Sequence, residues 1–303
     1  MRPREPLPGR LDHDLYSHRS AARVHGRAWP NGRRSAAFVL LHVESLEIDA
    51  PADALRDPRL RGNFGNFFPD YRSHSYIEYG NRIGVFRLLD WLQPRGWKVA
   101  AAVNGVVAQD KPELMRELMR RDVSILASGW SASRMVSSAM PLDAERALLD
   151  RTIDAIAQAT GTRPSGFASQ DYGYSHNTPT LLEDAGFSYA VDWPNDEMPY
   201  RFGPERRLVM LPVAADLDDA HAMIARSVQP RLWARMLTAG LGHWRENAGP
   251  GSVFVLSLHA WVAGAAHRFP NLCRALSDQP ADGFWQAQPV DIADHWRTCN
   301  VPE

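Results

Sequence analysis

The feature that most constrains the fold is an alternation of short apolar runs with amphipathic stretches, sustained for more than 200 residues. Ala36-Ala37-Phe38-Val39-Leu40-Leu41 is a continuous apolar run of strand length, and such runs belong to strands buried on both faces. Val85, Phe86, Leu88, Leu89 and Leu92 then form a helical stripe that stops before Pro94. Val99–Val103 reads as a strand, and 112–120 as a helix opened by Pro112 with Asp110 as its cap. Val123–Ala127 follows as a strand, and 143–159 as a long helix stopped by Gly161 and Pro164. The series continues with a strand end at 166–169, strands at 188–191, 208–211 and 253–258, and helices at 178–185 and around 230–247.

Strands separated by helices require crossovers and therefore a mainly parallel sheet. About seven such units fit an α/β barrel, with a doubly wound sheet as the other arrangement. Either one gathers functional groups at the carboxyl ends of the strands. Residues 1–34, mixed in Arg, His, Pro and Gly, read as an irregular arm, and 35–297 as one barrel domain. Residues 45–75, with Pro51, Pro58, Gly62, Gly65 and Pro69 among aromatics, read as a long ordered loop.

Charge and cysteine content exclude several classes. Lys plus Arg and Asp plus Glu nearly cancel, for a net charge of −1, and no like-charge block offers a surface for nucleic acid or membrane. Two cysteines, Cys273 and Cys299, make neither a disulfide framework nor a metal-ligand pair. The first ten residues lack the apolar stretch of a secretory signal, so a cytoplasmic location is expected. The sequence has no G-x-S-x-G elbow, P-loop or dinucleotide fingerprint.

The residues just past each strand are the candidates for chemistry. They are His42, Glu44 and Glu47; Ser128, Gly129, Trp130 and Arg134; Gln170, Asp171 and Tyr172; Asp192, Asp196 and Glu197; Asp216, Asp218 and Asp219; and His259 and Trp261. His259 closes the apolar run 253–258, which places an imidazole at the mouth, where it could act as general acid or base or sit as a satisfied core histidine. Glu44 shares a strand face with His42 and could activate water or form a buried ion pair. Glu78 and Arg82 stand at helix-pair spacing. No His-x-x-His, His-x-x-x-His or Cys-x-x-Cys supports a metal, although His42, Glu44 and His259 could supply a dispersed zinc set.

Glu78-Tyr79-Gly80-Asn81-Arg82-Ile83-Gly84-Val85-Phe86-Arg87-Leu88-Leu89 resembles the Glu-Tyr-Gly-x-Arg-x-Gly-Val-x-Arg-Leu-Leu segment of the allantoinase-like branch of the polysaccharide deacetylases (NodB-like, carbohydrate esterase family 4). Similar matches lie at 29–33, 163–166, 186–189 with Asp192, 198–200 and 290–296, so the resemblance runs from about residue 11 to 297. It implies a seven-stranded distorted (β/α) barrel and hydrolysis of a carbon–nitrogen bond in an amide or ureide. The aspartate pair of metal-dependent relatives corresponds to Val43 and Glu44, and two metal-site histidines correspond to Ser128 and Arg134. Serine is no substitute for an imidazole ligand and arginine repels a cation. The expectation is therefore a hydrolase without metal or other cofactor, acting on a small polar molecule. Glu44, Glu78 and His259 would be catalytic, and His42, Ser128, Trp130, Arg134, Asp192, Glu197 and Trp261 would bind substrate. The alternative is an inactive barrel that binds a ligand or a partner protein. The aromatic and proline content of residues 60–76, with the resemblance, points to a symmetric homo-oligomer.

Overall fold

A computed structural model describes residues 13–18, 20–21, 26–49, 69–277 and 281–299. The chain begins its sheet with β1 (Ser35–Val43), every residue of which is buried. Next come α1 (Tyr71–Tyr79), α2 (Val85–Leu92), β2 (Val99–Val103), α3 (Gly105–Asp110), α4 (Pro112–Arg120), β3 (Ser124–Ala127) and α5 (Leu142–Thr160). They are followed by β4 (Gly166–Phe167), α6 (Thr178–Asp184), β5 (Tyr189–Asp192), β6 (Tyr200–Phe202) and β7 (Leu208–Pro212). The last elements are α7 (Pro230–Glu246), β8 (Ser252–His259), α8 (Phe269–Ser277), β9 (Trp285–Gln286) and α9 (Pro289–Cys299).

The strand order is β6-β7-β5-β4-β3-β2-β1-β8, with β9 paired to the start of β1. Seven strands of this order, β1 to β5 with β7 and β8, run parallel, and β6 is an antiparallel edge on β7. Cα atoms of β7 and β8 approach within 8 Å, with no ladder between them among the described residues. The sheet therefore curls into a barrel left open on that side. This is the distorted barrel, not the doubly wound sheet.

Alternation along the strands divides the core in two. Ala37, Val39, Leu41, Ala101, Val103, Ala127, Ala190 and Leu256 pack outward under the helices. Phe38, Leu40, Ala102, Leu126, Ala168, Val191, Leu211 and Val255 fill the lumen, with Ile292 and Trp296 of α9 and with Trp29 packed among them. Because successive residues alternate faces, this parity also sorts every polar residue at the strand ends.

The structure corrects some local expectations. Asp110 does not cap the 112–120 helix; it ends α3, a short helix whose small and valine-rich sequence has no clear period. Lys111 stands at the cap position of α4 without a side-chain cap. The expected loop 45–75 is helical from Tyr71, capped by Asp70 Oδ1, which accepts from Ser73 N at 3.0 Å. Residues 50–68, and with them most of the stretch read as an oligomer contact, lie outside the described residues. No helix among the described residues is long and apolar enough to cross a membrane.

Candidate active site

Lumen parity carries His42 and Glu44 up from Leu40, Asn104 from Ala102, Ser128 from Leu126, Gln170 from Ala168, and Ser257 and His259 from Val255. These residues form a polar layer on top of an apolar barrel. Its ionisable members gather on the β1/β8 side, where the two strands pair from Ser35↔Ser252 to His42↔His259.

His259 is anchored by Asp219. Its Nδ1 lies 2.8 Å from Asp219 Oδ1, and its backbone N–H donates to both carboxylate oxygens at 2.9 and 3.1 Å. Ala263 N–H adds a further donor at 2.9 Å. A carboxylate on Nδ1 fixes the imidazole's tautomer and turns Nε2 toward the mouth. There Nε2 stands 3.9 Å from Glu44 Oε2, which accepts a hydrogen bond from Trp261 Nε1 at 3.0 Å. Burial raises the Asp219 carboxyl above its ordinary value, with His259 opposing the rise and Asp218 adding to it.

A second relay runs beside the first. Asp218 Oδ2 accepts from Ser257 Oγ at 2.5 Å, and Ser257 Oγ lies 2.9 Å from His42 Nε2. The His42 and His259 rings stack with centroids 4.2 Å apart and planes inclined by 6°. Asp218 Oδ1 also holds the backbone N–H of His221, at 2.7 Å, where a π-helical turn (His221–Ala225) begins. A second π-helical turn, Gly80–Gly84, sets Asn81, whose Nδ2 donates to the Glu44 carbonyl at 2.8 Å. The close fit there depends on glycine, because a Cβ on Gly80 would stand 2.6 Å from Trp261 N. Single π-turns inside helices recur at functional sites.

Atoms of His42, Asp218 and His259 come within 4.8 Å of one another, the spacing of a candidate metal set. The ring geometry does not suit joint ligation. An imidazole lone pair lies in its ring plane, and two nearly parallel planes stacked face to face aim their lone pairs side by side rather than at one point. At the positions where the family resemblance expects imidazoles, Ser128 offers a hydroxyl and Arg134 a guanidinium committed to Glu47, with Nε 2.6 Å from Oε2. This donor set does not fit the metal of the metal-dependent relatives.

The expected site residues are thus distributed unevenly. His42, Glu44, His259 and Trp261 come together. Glu78 sits at the rim, where it pairs with Lys111 at 2.6 Å and lies 3.5 Å from Asn81 Nδ2. Arg134 and Ser131 hold Glu47 between the β1 and β3 loops. Burial alone would raise Glu47, but the Arg134 and Ser131 hydrogen bonds and the Arg134 charge outweigh it and lower its pKa.

Three residues expected to bind substrate lie elsewhere. Trp130 belongs to the outer core, its ring under the Arg151 guanidinium at 3.4 Å and against Gly105. Asp192 follows the outward parity of Ala190 and accepts from Ser169 N–H, Ser169 Oγ and Tyr174 OH at 2.7–3.0 Å. Burial pushes its carboxyl up to about 7, against the Ser169 and Tyr174 hydrogen bonds. Glu197 pairs with His243 at 3.1 Å and lines a cavity of about 860 Å³ with Asn195, Asp216 and Trp244. Neither member of the Asp219–His259 dyad lines that cavity.

Strand-end reasoning reaches Asp218 and Asp219 without assigning them a role, and it misses Ser257, Asn81 and Lys111. The available signal is the adjacent carboxylate pair before the segment Ala220–Ile224, which is apolar apart from His221. Ser257 is hidden inside an apolar strand.

Comparison with known proteins agrees with this fold. The polysaccharide deacetylase family model matches residues 77–190. A Mycobacterium smegmatis structure assigned as a polysaccharide deacetylase is 24% identical, with TM-score 0.76, covering 92% of this chain and 96% of its own. PuuE allantoinase is 21% identical, with TM-score 0.79 and coverage of 99% and 100%. A carbohydrate esterase family 4 pseudoenzyme from Bacillus anthracis is 10% identical, with TM-score 0.51 and coverage of 89% and 68%. No curated protein sequence matches this one. The fold is that of the polysaccharide deacetylase and PuuE allantoinase structures, and the polysaccharide deacetylase family match is confined to residues 77–190.

Proposed function

We propose that this protein hydrolyses a non-peptide carbon–nitrogen bond, an amide or ureide, in a small polar substrate, and that it does so without a bound metal. The observation that carries the proposal is the Asp219–His259 dyad with Nε2 3.9 Å from the Glu44 carboxylate at the barrel mouth. In this reading Glu44 accepts a proton from water as the water oxygen bonds to the carbonyl carbon. Glu44 passes that proton to His259 Nε2, and the resulting imidazolium delivers it to the leaving nitrogen as the C–N bond breaks, giving an acid and an amine or urea. Asp219 stabilises the imidazolium between these steps, and Trp261 holds Glu44 in place. The buried setting strengthens each charge interaction.

A second reading, a barrel that binds without turnover, is favoured by one observation. The ionisable groups at the mouth are buried and engaged with one another: His259 is 1% exposed and Glu44 3%. The Bacillus anthracis pseudoenzyme, of the same fold, is in keeping with it. The two readings separate in a turnover screen on allantoin, other ureides and N-acetylated sugars, run with and without a chelator. The hydrolase reading expects turnover of a C–N substrate that survives the chelator. A folded protein inert on all of them supports the binding barrel.

A further inference from the structure

We infer that Ser128 and Gln170 form a neutral amide-recognition wall of the lumen mouth, which selects a substrate carrying an uncharged carbonyl and N–H, a ureide or carboxamide, over a carboxylate or phosphate. The inference rests on the hydrolase reading for the location of the reacting groups.

Both residues continue the lumen parity of adjacent strands, Leu126 to Ser128 and Ala168 to Gln170, where the strands pair through Ala127↔Phe167. Both are buried, at 0% and 6% exposure, and Ser128 Oγ and Gln170 Nε2 have no hydrogen-bond partner among the described residues. A buried polar atom left unpaired has given up water without a replacement, and two such atoms on one wall call for a reason.

Their surroundings are fixed rather than loose. Ser128 N–H donates to Val103 O at 3.0 Å, and its carbonyl accepts from Asn104 Nδ2 at 2.5 Å. Asn104 Oδ1 in turn accepts from Ser45 N–H, which ties this wall to β1. Gly129 adopts φ +64°, and a Cβ there would stand 2.6 Å from Gln170 Oε1, so glycine leaves the space the amide occupies. Asp192 clamps Ser169 from the outer side. After Gln170 the chain takes two consecutive left-handed non-glycine residues, Asp171 at φ 49° and Tyr172 at φ 58°. Gly173 N–H closes that turn on Gln170 O at 2.9 Å. Strain of this kind persists where the surrounding structure holds a side chain in place for use.

The chemistry selects the ligand. A carboxamide N–H donates to a carbonyl oxygen, and a serine hydroxyl accepts from an N–H; together they complement a neutral amide or ureide. The ionisable groups Glu44, His42 and His259 stand on the opposite β1/β8 wall, and Arg134 is held by Glu47.

Isothermal titration of the whole chain with hydantoin, a cyclic ureide, and with acetate tests the inference. Wild type is expected to bind hydantoin and to favour it over acetate at least tenfold. Gln170→Leu should weaken hydantoin binding at least tenfold, and Ser128→Ala about threefold to tenfold. Because each change removes an unpaired buried polar atom, the melting temperature should hold or rise by about 2–4 °C. A merely structural pair would move the other way, losing melting temperature and keeping affinity. The inference is overturned if wild type does not bind hydantoin, if both variants bind it unchanged, or if acetate is preferred. Should Gln170→Leu not fold, Ser128→Ala alone decides, through the same affinity and melting readouts. Hydantoin binding that depends on these residues in a protein without turnover supports the wall and counts against hydrolysis alone. Turnover with unchanged variant affinity does the reverse.

Discussion

The two walls of the barrel mouth are built on opposite terms. On the β1/β8 wall the charged groups interlock: Asp219 with His259, and Asp218 through Ser257 with His42. On the β3/β4 wall the side chains are neutral, and two of their polar atoms meet no partner among the described residues. A buried charge is tolerable only when paired, so the first wall had to be satisfied internally to fold at all. A buried neutral dipole is cheaper to leave open, so the second wall can hold its hydrogen bonds in reserve for a ligand. In the proposed reading, proton transfer falls to the first wall and recognition to the second.

The largest expected effect is on the charged wall. Asp219→Asn should lower turnover of a C–N substrate by about 10²–10⁴-fold, because an amide cannot stabilise the imidazolium as a carboxylate does. His259→Ala should lower turnover as far, and should also cost about 3–5 kcal/mol in chemical denaturation by leaving the buried Asp219 carboxylate without its partner. An active and fully stable His259→Ala protein would erase the distinction between the walls.

Glu44→Gln comes next. The amide oxygen can still accept from Trp261 Nε1, so the fold should hold while turnover falls about 10²–10³-fold with little change in KM. A rise in KM alone would move Glu44 from chemistry to binding.

Asp192 and Glu47 test whether carboxylates outside the two walls act on stability only. Asp192 has its pKa raised to about 7, so between its ordinary value near 3.8 and 7 the folded state holds a proton that the unfolded chain has released. Stability should therefore fall as pH rises through that window and level off above it. Asp192→Asn should flatten the slope while changing turnover less than about threefold, within the range of sites outside the chemistry. The smallest effect has the opposite sign. The lowered pKa of Glu47 gives stability that is present above its ordinary value and is lost as pH falls through the folded one. Its pair with Arg134 is part-exposed, so Arg134→Met should cost under about 1 kcal/mol.

The fold was more legible in the sequence than the site. Continuous apolar runs such as 36–41 and 253–258 mark strands buried on both faces, and their alternation with helices leaves few topologies. The two-residue strand β9 and the short β6 carry too little periodicity to be read. At the mouth, His42, Glu44 and His259 were legible because each continues an apolar strand. Parity decided the rest. Asp192 ends its strand as plainly as His259 does, yet it faces the helices, and one residue of register separates the two outcomes. Asp219, Asp218 and Asn81 were hard to assign because their roles depend on π-helical turns and on contacts across 37 to 40 residues of chain.

In the proposed reaction the Asp219–His259 dyad and Glu44 carry out hydrolysis without metal. The most direct measurement is turnover of allantoin, or of whichever ureide or amide the screen finds, by protein whose metal content has been determined before and after chelator treatment. Turnover should be unchanged with far less than one metal per chain, and should be lost in folded Asp219→Asn. Turnover that vanishes with the chelator and returns in proportion to added zinc would contradict metal-free hydrolysis.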